Sequence, residues 1–312
     1  MPTLSSMPTP AGALPALRRA PVWWVLLLAL LAAGLLSACS PRGLIVNRLA
    51  DELADQGSAS EDDLPLAREA SAFYLKLSES VLRQTPDHAA LAGAVAGGFT
   101  QYAYAFVAFD ADRLEARDAA AAQQLRQRAA RLYRRAKAHA LTALERQSPG
   151  FVTALASPDA TRWPRLRADQ VGLAYWAAAS WGGAISLSKD DPDAVADLPL
   201  AVRLATLAYA RTPEHADGAL ASLMGSFEAA RPGGSVTRAA DYFDRSIAIG
   251  GARQAGPFVA KAEAMALPAG DRAAFEALLR QALAVSAAHR DVGNEVMRER
   301  ATWLLAQADD LF

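Results

Sequence analysis

Thr85-Pro86-Asp87-His88-Ala89 returns 127 residues later as Thr212-Pro213-Glu214-His215-Ala216, and Ser148-Pro149 stands almost midway between them. The prolines are separated by 63 and then 64 residues. Each marks the end of a helix, because proline cannot donate to the backbone ladder and pushes the residue before it out of the α region. Between these marks Ala, Leu, Arg and Glu dominate, and Val and Ile are sparse. Apolar residues recur at spacings of three and four, as in Phe73, Leu77, Val81 and in Phe275, Leu278, Leu279, Leu283. That period belongs to amphipathic helices. No alternating strand is found, so the chain reads as all-α from Leu64 onward.

Four helices with their turns, in two units of about 34 residues each, fill roughly the interval between successive prolines. The spacing therefore predicts tetratricopeptide-like helical-hairpin repeats. Later segments keep the theme: Tyr242-Phe243-Asp244-Arg245-Ser246-Ile247-Ala248-Ile249 aligns with Leu278-Leu279-Arg280-Gln281-Ala282-Leu283-Ala284-Val285 at an offset of 36. Each hairpin leaves an apolar face that only the next one covers, so the units are expected to stack into a compact solenoid. A plain helical bundle with coincidental prolines is the competing reading.

The N-terminus carries a different signal. Arg18 and Arg19 precede an uncharged apolar run over residues 21–36, and Leu36-Ser37-Ala38-Cys39 follows with the only cysteine of the chain. A positive n-region, a short apolar h-region and small residues before a cleavage point make a signal peptide. The run is shorter than the about 20 apolar residues a spanning helix needs. Residues 1–38 are thus expected to be a lipoprotein signal peptide, with the Cys39 thiol carrying the lipid; an uncleaved anchor with a chance cysteine is the alternative. Residues 39–63, ending in polar Gln56-Gly57-Ser58-Ala59-Ser60-Glu61-Asp62-Asp63, read as lipidated N-terminus and connector. Residues 64–312 are the helical repeat domain. Ser40 is not the aspartate associated with inner-membrane retention, so the expected address is the periplasm, anchored by lipid, with the outer membrane favoured over the inner.

Composition excludes several classes. Removing 38 of the 312 residues, Arg18 and Arg19 among them, takes the net charge from −1 to −3. A weakly acidic chain offers no basic stripe for phosphates, so no nucleic acid is expected. The basic run Arg126, Arg128, Arg131, Arg134, Arg135 and Lys137 reads as a solvated helix face. With a single cysteine no disulfide within the chain can form. No phosphate loop, Gly-x-Ser-x-Gly or His-Glu-x-x-His occurs, and the four histidines are spread along the chain. Neither catalytic residues, nor a metal, nor a cofactor is expected.

Two uncharged stretches invite a sharper reading. Residues 89–109 contain Gly97-Gly98-Phe99-Thr100-Gln101-Tyr102-Ala103-Tyr104-Ala105-Phe106, and residues 171–188 contain Tyr175-Trp176 and Trp181-Gly182-Gly183. Length alone permits a membrane span for the first. Its alanine, glycine and polar content, and the charged loops after both, argue for central buried helices instead. Paired mid-helix glycines cost about 1 kcal/mol each relative to alanine, so close backbone approach is expected at them. The aromatics then either pack the core or line a ligand cavity or channel; the candidate set is Phe99, Gln101, Tyr102, Tyr104, Phe106, Tyr175, Trp176 and Trp181. Lys189 and Asp190, in Lys189-Asp190-Asp191-Pro192-Asp193, join that set as the mouth of the cavity, with Lys189 attracting a carboxylate. Their ordinary reading is a helix stop and an N-cap, from Asp190 or Asp191, for the next helix.

The lipobox, Gly98-Phe99-Thr100-Gln101-Tyr102-Ala103-Tyr104-Ala105-Phe106, Tyr175-Trp176 through Ser188-Lys189-Asp190-Asp191, Ala229-Ala230-Arg231-Pro232-Gly233-Gly234 and Ala255-Gly256-Pro257-Phe258 together resemble the T-component family of TRAP transporters. The likeness covers nearly the whole mature chain. It implies a periplasmic, lipid-anchored transport accessory built of tetratricopeptide-like repeats that associates with the periplasmic solute receptor, the P component. It also implies a homotrimer and a pore or cleft in each protomer for an apolar or amphipathic carboxylate. The alternatives are a scaffold lipoprotein of envelope assembly with no small ligand, whose aromatics are core only, and a lipid-anchored enzyme with an unfamiliar site.

Overall fold

A computed structural model describes Trp23 and residues 41–55, 62–251 and 253–312. Cys39, residues 56–61 of the expected connector and, apart from Trp23, the segment expected to be a signal peptide lie outside the described residues. The chain divides into residues 1–45 and a helical body from Val46 to Phe312. Every regular element among the described residues is helical.

The first helix, α1 (Pro41–Asp55), occupies much of the stretch that the sequence reading leaves as connector. Val46, Ala50, Leu53 and Ala54 share one face at helical spacing, and Ala50 and Leu53 are buried in the main core. Helix α2 (Leu64–Gln84) follows, started by the Asp63 carboxylate accepting from the Leu66 N–H. Helix α3 (Ala89–Ala103) continues through a π-turn (Tyr104–Ala108) into α4 (Phe109–Leu114). The long α5 (Ala119–Gln147) and short α6 (Phe151–Ala156) lead to α7 (Val171–Ser186). Then come α8 (Pro192–Ala196), α9 (Leu198–Arg211), α10 (Ala219–Ala230) and α11 (Val236–Gly250). Helix α12 (Gly256–Lys261) runs into a second π-turn (Ala262–Ala266), and α13 (Arg272–Ala288), α14 (Val292–Ala306) and α15 (Ala308–Leu311) finish the chain.

Successive long helices pack on one another, from α2 on α3 through α5, α7, α9, α10, α11, α12 and α13 to α14. Alternate members also meet: α3 touches α7, α7 touches α10, α10 touches α12, and α12 touches α14. These five form an inner row, with α2, α5, α9, α11 and α13 packed outside them. The last helix of the row also meets the first of the outer ones, since α14 contacts α2. No helix among the described residues is long and apolar enough to cross a membrane.

The glycine pairs decide how closely the inner row packs. A Cβ on Gly97 would lie 2.7 Å from the Trp176 ring and one on Gly98 would lie 2.5 Å from Leu75. In α7 the same holds for Gly182 against Phe227 and Gly183 against Tyr133, each at 2.8 Å. The expected close approach is present, but it is side chain against backbone, not backbone against backbone. Each missing methyl group is the seat of a large side chain from a neighbouring helix.

The two Thr-Pro-x-His-Ala marks fold differently. At the first, the His88 imidazole Nδ1 accepts from the Leu91 N–H as the N-cap of α3, and its Nε2 lies 2.9 Å from Asp51. At the second, His215 caps nothing. Ala216 and Asp217 adopt left-handed backbone (φ 52° and 51°), and Gly218, at φ 91°, precedes α10. The Ser246 hydroxyl donates to the Gly218 carbonyl at 2.8 Å, and a Cβ on Gly218 would meet the Ser246 carbonyl oxygen at 2.7 Å. Contact with α11 thus forces a turn that the first mark does not need.

Candidate ligand-binding site

The candidate aromatics do not gather into one constellation. Phe99 is buried between Arg135, whose guanidinium lies 4.9 Å from its centroid, and His139, stacked at 6.1 Å. Both side chains also bind Glu79, a carboxylate only 3 % exposed. Burial alone would raise the Glu79 carboxyl; hydrogen bonds from Arg135, Lys76 and His139 outweigh it and hold it at about 2. Trp181 is buried too, its indole N–H donating to Asp197 at 2.9 Å with the Lys137 ammonium over its ring. Within the basic run, therefore, Arg135 and Lys137 hold core aromatics and Arg126 pairs with Asp112 and Glu115, while Arg128, Arg131 and Arg134 are exposed as expected of a solvated face.

Tyr102 meets Phe106 edge-on at 5.5 Å, and Arg68 lies over Phe106 while binding Asp110 through both guanidinium nitrogens. Gln101 is exposed. Lys189 and Asp190 are exposed in the loop before α8, and Asp191 supplies the cap, accepting from the Asp193 and Ala194 N–H groups ahead of Pro192.

Two tyrosines stand apart. Tyr104 and Tyr175 both keep part of their surface accessible, yet both sit deep enough that burial lifts each hydroxyl to about 12. Both residues lie on the inner row, Tyr104 in the π-turn after α3 and Tyr175 near the start of α7.

Their surroundings differ. Tyr104 faces Arg300 of α14, whose guanidinium lies 5.5 Å from its ring and 5.1 Å from that of Phe109. Arg300 donates to Glu263 at 2.6 and 3.0 Å and to Asp112 at 3.1 Å. Burial would weaken its charge, but the Tyr104 oxygen and these two carboxylates overcome that and raise its pKa. Tyr133, buried on Gly183, has its hydroxyl raised by burial and by its proximity to Tyr104. Both π-turns thus border one arginine, the first through Tyr104 and the second through Glu263. Alongside, Arg113 binds Glu299 and the Phe109 and Trp303 rings meet at 5.7 Å. π-turns often mark functional positions because the extra residue re-aims a side chain.

Tyr175 has no ion near it. It tilts against Trp176 at 4.7 Å and meets His215 edge-on at 5.4 Å. Among the described residues, the Tyr175 hydroxyl, the Trp176 indole N–H and the two ring nitrogens of His215 make no hydrogen bond within the protein. Burial alone lowers the His215 pKa, so its ring is neutral near pH 7. Sequence reasoning placed His215 at an inter-helix turn but not in the site, because only the left-handed turn after it swings the ring onto Gly172 and Tyr175. Arg300, Glu263, Asp112 and Tyr133 carried no local signal at all. Among the described residues no group of His, Cys, Asp and Glu is arranged to hold a metal ion.

Comparison with known proteins supplies the remaining observation. An uncharacterized protein of Treponema pallidum (strain Nichols) is 29 % identical over 283 residues, covering 87 % of this chain and 87 % of its own length. The profile described as TRAP transporter T-component matches residues 60–312, the whole of the chain from just before α2 to its end. An all-helical body whose inner row carries deep, accessible aromatics therefore belongs to the T-component family of TRAP transporters.

Proposed function

We propose that this TRAP accessory works in the periplasm, held at a membrane by lipid on Cys39, with the outer membrane as the favoured site. Its helix pairs act as tetratricopeptide-like hairpins stacked into a solenoid, and that body docks the periplasmic solute receptor. An apolar or amphipathic ligand, carboxylates among the classes in view, rests along the inner row. The single observation supporting ligand holding is the pair of inner-row tyrosines, Tyr104 and Tyr175, which keep accessible surface among helices whose other aromatics are mostly buried. The succession of contacts from α2 to α14, with alternate helices meeting, supports the stacked-hairpin arrangement. Association into a homotrimer belongs to the same proposal.

The test is co-purification from the native periplasm with the mature chain as bait. Recovery of a solute receptor supports docking, whereas recovery of assembly proteins alone supports the scaffold reading. Fractionation of a Cys39→Ser variant tests the anchor: the variant is expected in the soluble periplasm and the parent in the membrane.

A further inference from the structure

Two helices outside the inner row concentrate positive charge. Helix α2 carries three arginines and lysines against two glutamates, and α5 carries seven against one. The chain as a whole has a net charge of −1, so the excess is local. Glu79 joins the two helices and neutralises little of it. Lys76 and Arg83 of α2 and Arg135 of α5 all pair with that one carboxylate, and all three remain exposed. Arg128 and Arg131 precede Arg135 on the same face of α5, and Arg134 borders them. These three arginines are exposed and, among the described residues, make no ion pair or hydrogen bond.

The outer side of α2 is apolar where a solvated helix is polar. Leu66, Phe73 and Tyr74 are exposed, Phe73 to 67 %, and the Phe73 and Tyr74 rings meet edge-on at 5.8 Å. Phe73 stands one turn before Lys76, so the rings border the cations. Exposed rings and leucine beside arginine and lysine suit an anionic lipid surface. The apolar groups enter the headgroup boundary while the cations stay with the phosphates. An acidic protein needs carboxylates fixed opposite each arginine, whereas lipid phosphates diffuse to meet side chains that no partner holds.

We propose that the outer face of α2 and α5 is a membrane-contact surface for anionic phospholipid headgroups, with Phe73 and Tyr74 entering the interface beside Lys76, Arg83 and the α5 arginines. This goes beyond lipid attachment and rests on that reading only in that the anchor keeps the face within reach of a bilayer. The probes are vesicles of phosphatidylglycerol and phosphatidylcholine in equal parts, and vesicles of phosphatidylcholine alone. The mature chain carrying Cys39→Ser, which keeps α1 to α15 and takes no lipid, is sedimented with each. Binding to the anionic vesicles is expected to be at least ~10-fold tighter and to weaken as salt is raised. Arg128→Gln, Arg131→Gln and Arg134→Gln combined are expected to remove most of that preference. Phe73→Ser is expected to weaken binding roughly fivefold. Thermal melts should match the parent, since all four side chains are exposed.

Equal binding to both vesicles, an anionic preference untouched by the triple substitution, or undiminished binding by Phe73→Ser overturns the proposal. Retention of an acidic protein by the parent and not by the triple variant, without any vesicle preference, assigns the face to a protein and overturns it equally. Each of these outcomes leaves the anchor standing, because fractionation of the Cys39→Ser variant reads the anchor separately.

Discussion

Tyr104 and Tyr175 are the same residue type at the same depth, on the same row of helices, and they sit in opposite chemistry. Around Tyr104 the protein has placed an arginine, two carboxylates and a second tyrosine, contributed by segments as far apart in sequence as Asp112 and Arg300. Around Tyr175 it has placed an indole and a neutral imidazole, with no ion in contact. The charged end joins the last long helix to the first ones and is satisfied within itself. The neutral end leaves its polar atoms without protein partners. Buried ion pairs hold segments together only when complete, whereas unpaired neutral groups at an accessible surface are free to meet a ligand. The difference separates a closed ionic joint from a neutral cluster whose polar atoms remain open.

That division breaks most readily at the joint. Arg300→Met leaves Glu263 and Asp112 without their shared cation at a position where Arg300 is 12 % exposed. A loss of about 3–5 kcal/mol is expected, read as a lowered denaturant midpoint. Tyr175→Phe, by contrast, is expected to change stability by less than about 1 kcal/mol. Equal losses at the two ends would abolish the distinction.

Glu79 is a second complete ion cluster and sharpens the point through pH. Its folded-state pKa of about 2 lies below the usual 4.5. Its contribution is therefore fully present above pH 4.5 and is lost as pH falls through 2, amounting to about 3 kcal/mol across that window. Acid titration of unfolding should show Glu79→Gln less stable at pH 7 and less sensitive between pH 4.5 and 2. An unchanged acid slope would mean that Arg135 and His139 do not stabilise the charged carboxylate.

At the neutral end the seats matter more than the polar atoms. Gly97→Ala drives a methyl group into the Trp176 ring and is expected to cost about 1–3 kcal/mol. The loss should be accompanied by a shift in tryptophan emission. The smallest effects come from the two histidine turns and have opposite signs. His88→Ala removes the α3 N-cap and should destabilise by about 1 kcal/mol. Ala216→Gly relieves a left-handed alanine and should stabilise by up to about 1 kcal/mol. Thermal melts of the two variants moving in the same direction would erase the contrast between the turns.

Much of this is legible in the sequence. Spacing of three and four, the scarcity of β-branched residues and the prolines determined the helices, because each is a local property of the backbone. The glycine pairs announced close contacts, since nothing else repays their cost. Asp191 and Pro192 announced a helix start. Helix α1 was also written in the spacing of Val46, Ala50 and Leu53, but it lies among polar residues and reads as connector without the core that Ala50 and Leu53 enter.

What a residue does with its side chain was another matter. Nearly identical local sequences gave His88 a cap and His215 a place beside Tyr175, because α11 presses on the second turn and nothing corresponding strains the first. Trp181 and Trp176 lie in the same uncharged helix, yet the first is a saturated core residue and the second is one of three rings in an open cluster. Arg300 stands in a charged stretch like many others, and only the return of α14 to the start of the row brings it between two π-turns. The sequence by itself determined the helices, their ends and where bulky side chains must find room, since those follow from backbone chemistry within a few residues. Tertiary structure alone decided which tyrosine meets an ion and which meets a neutral ring, because the partners come from segments as many as 188 residues apart.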